Sequence, residues 1–141
     1  SGKLLLAGCR KPLMAAPGGG KSFVAASDAA AAIVNALDRG RSGERYLLTS
    51  DNLTFKDLYK LQARLLDYRQ LYFPLPRALC LLVGALGSGL RRLGVKTMVS
   101  LANVKIMCEE EFYDSTKATR ELGLKHSPIE DSINAFWKTM L

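Results

Sequence analysis

The sequence predicts an α/β chain dominated by helices, with a few short strands, forming a single domain over residues 1–141. Three observations carry this expectation. Ser22–Ala26, with Phe23 and Val24, has strand composition; a helical pattern follows behind Ser27 and Asp28, and Arg45–Thr49 is a second apolar run, giving strand, helix, strand. Two later helix starts have capping-box form, Thr54-x-x-Asp57 and Ser127-Pro128-Ile129-Glu130. The composition, 48% hydrophobic and 23% charged over 141 residues, is that of a globular chain long enough to bury a core.

In chain order, residues 3–10 are expected to be helical and to end near Pro12. A glycine-rich turn, Pro17 to Gly20, leads into the first strand. The helix after it is capped by Ser27 or Asp28, carries apolar positions at Ala30, Ile33, Val34 and Leu37, and is ended by Gly40 and Gly43. Behind Thr54 a helix shows Leu58, Leu61, Leu65 and Leu66 on one face and Lys56, Lys60 and Arg64 on the other. Leu71–Phe73 is a short strand closed by Pro74, and Pro76 can open the next helix. A helix around Val99–Cys108, a brief strand at Glu111–Tyr113 and a helix ending at Gly123 follow. The last helix places Ile133, Phe136, Trp137 and Met140 in line with Ile129.

Twenty Lys+Arg against thirteen Asp+Glu give a formal charge of +7. The basic residues form only small groups, at Arg10-Lys11, Arg39/Arg41/Arg45 and Arg91-Arg92, with no aromatic-interleaved stripe. This argues against a nucleic-acid partner and for a small anion as the use of the charge. The longest uncharged apolar stretch, Ala78 to Leu90, falls short of the about 20 residues a membrane span needs. Cys9, Cys80 and Cys108 cannot all pair and form no Cys-x-x-Cys or Cys/His cluster, so they read as reduced thiols of a cytoplasmic protein, with no metal site.

Three further motifs are weaker than they look. Ala15-x-x-x-x-Gly20-Lys21-Ser22 matches a relaxed phosphate-binding loop, but such a loop must open a helix whose amides face the phosphates, and here a strand follows. Leu6-Ala7-Gly8-Cys9 has lipoprotein-cleavage form, yet only Leu4–Ala7 is available where a leader needs about 7–15 apolar residues. His126 stands alone before Ser127 and reads as a surface residue.

Two blocks point to a family. Gly19-Gly20-Lys21-Ser22-Phe23-Val24-Ala25-Ala26-Ser27-Asp28-Ala29-Ala30 is followed by Gly43-Glu44-Arg45-Tyr46-Leu47-Leu48, and Asp114-Ser115-Thr116-Lys117-Ala118-Thr119-Arg120-Glu121-Leu122-Gly123 stands much further on. In that order they resemble the C-terminal, substrate-side half of extended short-chain dehydrogenase/reductases, the NAD(P)-dependent epimerase/dehydratase/reductase family, over residues 18–140. The resemblance implies a helix-rich C-terminal part of a Rossmann-type enzyme. It also implies that Lys21, where nucleotide-sugar members carry an arginine, and Phe23 line the substrate site. Lysine keeps the charge but not the two-pronged hydrogen bonding of arginine, and Val104 and Met107 stand where those members place an Arg-x-x-Asp pair. Both departures favour a smaller or more apolar carbonyl substrate.

The family's Gly-x-x-Gly-x-x-Gly cofactor motif occurs nowhere in the chain. Tyr113-x-x-x-Lys117 matches its catalytic pair only in spacing, because the capping types Asp114 and Ser115 should leave Tyr113 outside the helix. The expectation is therefore a fragment, inactive alone, with no catalytic or cofactor-binding residue of its own. NAD or NADP would serve the parent enzyme, and the expected partners are the missing Rossmann half, a small-molecule substrate and, through the Ala30/Ile33/Val34/Leu37 and Leu79–Leu90 faces, a second copy. The alternatives are a self-sufficient protein-interaction module or a nucleotide binder of the P-loop type.

Overall fold

The computed structural model describes residues 2–95 and 101–140, and the chain divides into two compact units. Unit 1 holds Lys3–Lys21 and Thr54–Glu111; unit 2 holds Gly2, Ser22–Leu53 and Phe112–Leu141. The first two residues of the expected Val99–Cys108 helix lie outside the described residues.

In unit 1, α1 (Gly2–Gly8) precedes β1 (Leu13–Pro17), a strand the sequence did not announce. It pairs in parallel with β4 (Leu71–Leu75), Leu13 opposite Leu71 and Ala16 opposite Pro74. Proline is tolerated there because a two-stranded sheet consists of edges. Between them α3 (Phe55–Leu65) starts as expected: Thr54 Oγ1 accepts from the Asp57 amide at 3.1 Å and donates to the Asp57 carboxylate at 2.6 Å. Its buried stripe differs from the expected one. Phe55, Leu58, Tyr59, Gln62 and Ala63 are buried, and of the expected leucines only Leu58 is among them. Aromatic Phe55 and Tyr59 recruit the neighbouring positions, and Gln62 is drawn in because its amide donates to the Leu5 carbonyl of α1 at 2.9 Å. A leucine count cannot see either effect. Next come α4 (Arg77–Arg92), with Pro76 just before it, and α5 (Leu101–Met107), packed on α4.

The second sheet has the order β3-β2-β5, from β3 (Asp51–Thr54), β2 (Gly20–Phe23) and β5 (Glu110–Glu111). β2 starts two residues before the predicted strand and continues from unit 1 into unit 2. The expected strand at Arg45–Thr49 is not one; β3 begins only at Asp51. Side chains hold that segment instead: Tyr46 accepts from the Arg41 amide at 3.1 Å, and Thr49 donates to the Tyr113 carbonyl at 3.2 Å.

In unit 2, α2 (Ala26–Arg39) and α6 (Thr116–Leu122) pack together, with a core of Ala32, Ala118 and Leu124 and with Val24, Tyr46 and Leu48 against it, and α7 (Ile129–Met140) ends the chain's elements. Asp28 does not cap its own helix. Its carboxylate accepts from the Ser127 amide at 2.8 Å and the Ser127 hydroxyl at 3.0 Å, fastening α2 to the start of α7 across 99 residues. Those two bonds hold its carboxyl below the ordinary value, the backbone bond most. The Ser127 hydroxyl, expected at the start of its own helix, gives its hydrogen to Asp28. The apolar stripe of α7 matches at Ile133 and Trp137, both buried with Ile129. α6 stops at Gly123, whose φ of 67° is the left-handed conformation that glycine adopts without strain.

Candidate functional site

Lys21 and Phe23 occupy alternate positions of β2, Lys21 in unit 1 and Phe23 in unit 2, both half-buried. Register puts Lys21 directly opposite Glu111 on β5, and the ammonium meets that carboxylate at 2.7 Å. An incoming anion would therefore find the charge of Lys21 already balanced. Sequence reasoning missed this partner because a cross-strand pair 90 residues apart leaves no local trace.

The glycine-rich turn before Lys21 has a structural task. Gly19 and Gly20 donate to the Met107 and Glu109 carbonyls, each at 3.2 Å. A Cβ on Gly19 would lie 2.4 Å from the Met107 oxygen and 2.6 Å from that of Glu109. The turn is closed against backbone, and a strand follows it; α2 starts only at Ala26. It is no phosphate cradle.

Tyr113 and Lys117 are not partners on one helix. The Tyr113 amide donates to the Ser22 hydroxyl at 2.9 Å, and its carbonyl accepts from Thr49, so both backbone groups are committed outside α6. Asp114 accepts from the Thr116 hydroxyl at 2.6 Å and its amide at 3.3 Å, which starts the helix three residues after Tyr113. Lys117 turns to Glu44, to the Arg45 carbonyl at 3.2 Å and to the Tyr46 ring, 4.7 Å from its centroid. Tyr46 in turn donates to Glu121 at 2.8 Å, and Glu121 binds Arg41. The Tyr46 bond, followed by Arg41, depresses the Glu121 carboxyl, and Lys117 does the same for Glu44.

An open cleft of about 700 Å³ lies within unit 2, lined by Thr49, Tyr113, Thr116, Thr119, Arg120 and His126 among others. Its three threonine hydroxyls contact the protein: Thr49 the Tyr113 carbonyl, Thr116 the Asp114 carboxylate, and Thr119 the Ser115 carbonyl at 3.1 Å. The Thr119 hydroxyl also lies 2.8 Å from His126 Nε2, the imidazole tautomer setting which of the two donates. His126, expected as a surface residue, is exposed and tied to Thr119. The hydrogen bonds of this cleft shape the loop rather than reach into it. Among the described residues no group of three or more His, Cys, Asp or Glu could hold a metal ion, and no helix is long and apolar enough to cross a membrane.

The fold these elements build is epimerase-like. No family profile matches the chain, and no curated protein does. Solved structures do. The chain is similar to a nucleoside-diphosphate-sugar epimerase from Pseudomonas aeruginosa, with 27% identity and a TM-score of 0.67 over 97% of this chain and 40% of that one. It is also similar to the protein gox2253, with 24% identity and a TM-score of 0.74 over 99% of this chain and 43% of that one. A Burkholderia cenocepacia protein matches in fold, with 14% identity and a TM-score of 0.60, over 99% of this chain and 39% of its own. The chain thus spans about two fifths of the length of the solved proteins it matches.

Proposed function

We propose that this chain is the C-terminal, substrate-binding portion of an NAD(P)-dependent epimerase/dehydratase or carbonyl reductase of the extended short-chain type, and is inactive alone. The observation that supports this reading is the coverage: 97% of the chain follows a nucleoside-diphosphate-sugar epimerase while accounting for only 40% of it. A dinucleotide-binding half bearing the glycine motif would complete it. Lys21 and Phe23 are its candidate substrate contacts, each carried by its own unit. The Glu111 carboxylate beside Lys21 favours a carbonyl compound over a diphosphate, since a diphosphate would have to displace or tolerate that carboxylate.

Calorimetric titration of the chain with NAD, NADP and their reduced forms tests the proposal. No binding is expected, and a micromolar dissociation constant for any of them overturns it.

The alternative, a self-sufficient interaction module, draws on exposed apolar side chains. Ile33, Val34 and Leu37 on α2 are exposed, and so are Leu79, Leu82, Val83, Leu86 and Leu90 on α4. Both readings require these faces to be covered, by the missing half in one case and by a partner in the other. Self-association of the chain is the outcome expected in the meantime. A light-scattering mass fixed at 15.4 kDa across a concentration series would oppose it.

A further inference from the structure

Cys80 stands on α4 and Cys108 immediately after α5, both in unit 1. The two helices run antiparallel, and their register can be followed turn by turn. The Ser88 hydroxyl accepts from the Leu101 amide at 2.9 Å. One turn earlier on α4, a Cβ on Gly84 would lie 3.0 Å from Leu101 Cα and 3.1 Å from Val104 Cβ. Numbers fall along α4 as they rise along α5. The next position is four residues before Gly84 and four after Val104, the spacing that keeps side chains on one helical face. These are Cys80 and Cys108, which this register sets opposite one another. The bare Gly84 lets the backbones approach closely, as a disulfide with Cα atoms about 4.4–6.8 Å apart requires.

We propose that Cys80 and Cys108 are an oxidisable pair that closes into an intramolecular disulfide fixing α4 to α5. The electron acceptor is a low-molecular-weight disulfide such as glutathione disulfide. Cys108, the more accessible of the two, attacks it as thiolate; a Cys108–glutathione bond forms and one glutathione thiolate leaves. The Cys80 sulfur then attacks Cys108, the Cys80–Cys108 bond forms, and the second glutathione leaves. Two protein thiols have lost two electrons, one glutathione disulfide has gained them, and the two protons pass to the departing thiolates. The order follows from burial. Cys80 is 3% exposed, and burial first, then the neighbouring Cys108, raises its pKa, so it is the poorer first nucleophile. Such an exchange-driven bond in a reducing compartment would be reversible.

The test uses the full chain, incubated with glutathione disulfide, quenched with iodoacetamide and digested with trypsin for mass spectrometry. All three cysteines are free before oxidation. Free thiols should then fall to Cys9 alone, with peptide 78–91 joined to peptide 106–117. Cys9→Ser should leave that link intact, and Cys80→Ala should leave Cys108 carrying glutathione. Survival of all three thiols, glutathione on Cys80 and Cys108 without a link, or a bond made through Cys9 or between two chains would each overturn the proposal. The wild-type map decides even if a variant fails to fold.

Discussion

The largest fully buried side chains of unit 1, Phe55, Leu58 and Tyr59, sit on one helix, whereas unit 2 is tied together by charged and hydroxyl groups distant in sequence. Among the described residues the buried Gln62 and Gln70 side-chain oxygens and the Tyr72 hydroxyl of unit 1 have no hydrogen-bond partner, and neither has the Trp137 indole N–H of unit 2. In unit 2 Asp28 holds Ser127, Asn35 donates to the Leu122 carbonyl at 2.8 Å, and Glu121 gathers Arg41 and Tyr46. Apolar packing is insensitive to pH and tolerates unmatched polar atoms at a cost. A carboxylate network is satisfied, but only while its members stay ionised.

The largest expected effect that would break this comparison is in the helix-centred core. Phe55→Ala should destabilise by about 3–5 kcal/mol, as large-to-small changes at buried aromatics do. The denaturation midpoint followed by circular dichroism reads it, and a loss near zero would show that α3 does not organise unit 1. Gly19→Ala comes next, at about 1–3 kcal/mol of overpacking, because its methyl group would meet two backbone carbonyls. Unchanged stability would reopen the phosphate-loop reading.

The comparison sharpens in acid. Glu44 and Glu121 lie below their ordinary value of 4.5, and Asp28 and Asp114 below 3.8. A depressed folded pKa means that the unfolded chain binds more protons in that window. The stabilisation is therefore complete above about pH 4.5 and is lost as pH falls through the folded values. Trp137, the one tryptophan, is buried in unit 2 and reports on it by fluorescence. Its acid transition should flatten in Glu121→Gln, and an unchanged slope would break the account.

The smallest effect belongs to Lys21→Ala. The ion pair with Glu111 is more than a third exposed on both sides, so its loss should cost less than about 1 kcal/mol. In a parent enzyme the same change should raise KM while leaving the melting temperature nearly constant. A normal KM would remove Lys21 from the substrate site.

The sequence alone determined the features whose signals are local. Thr54 and Asp57 mark the start of α3, Gly123 ends α6, Ile129, Ile133 and Trp137 form one stripe, and Asp114 leaves Tyr113 outside the helix. Each depends on groups within a few residues of one another, where backbone geometry is decided. Tertiary structure alone decided the rest. It paired β1 with β4, gave Asp28 to Ser127 instead of to its own helix, turned Lys21 toward Glu111, and made a backbone contact of the glycine turn. In each case the deciding partner lies tens of residues away, and a hydrogen bond or a close approach to it outweighs the weak preference the local sequence expresses.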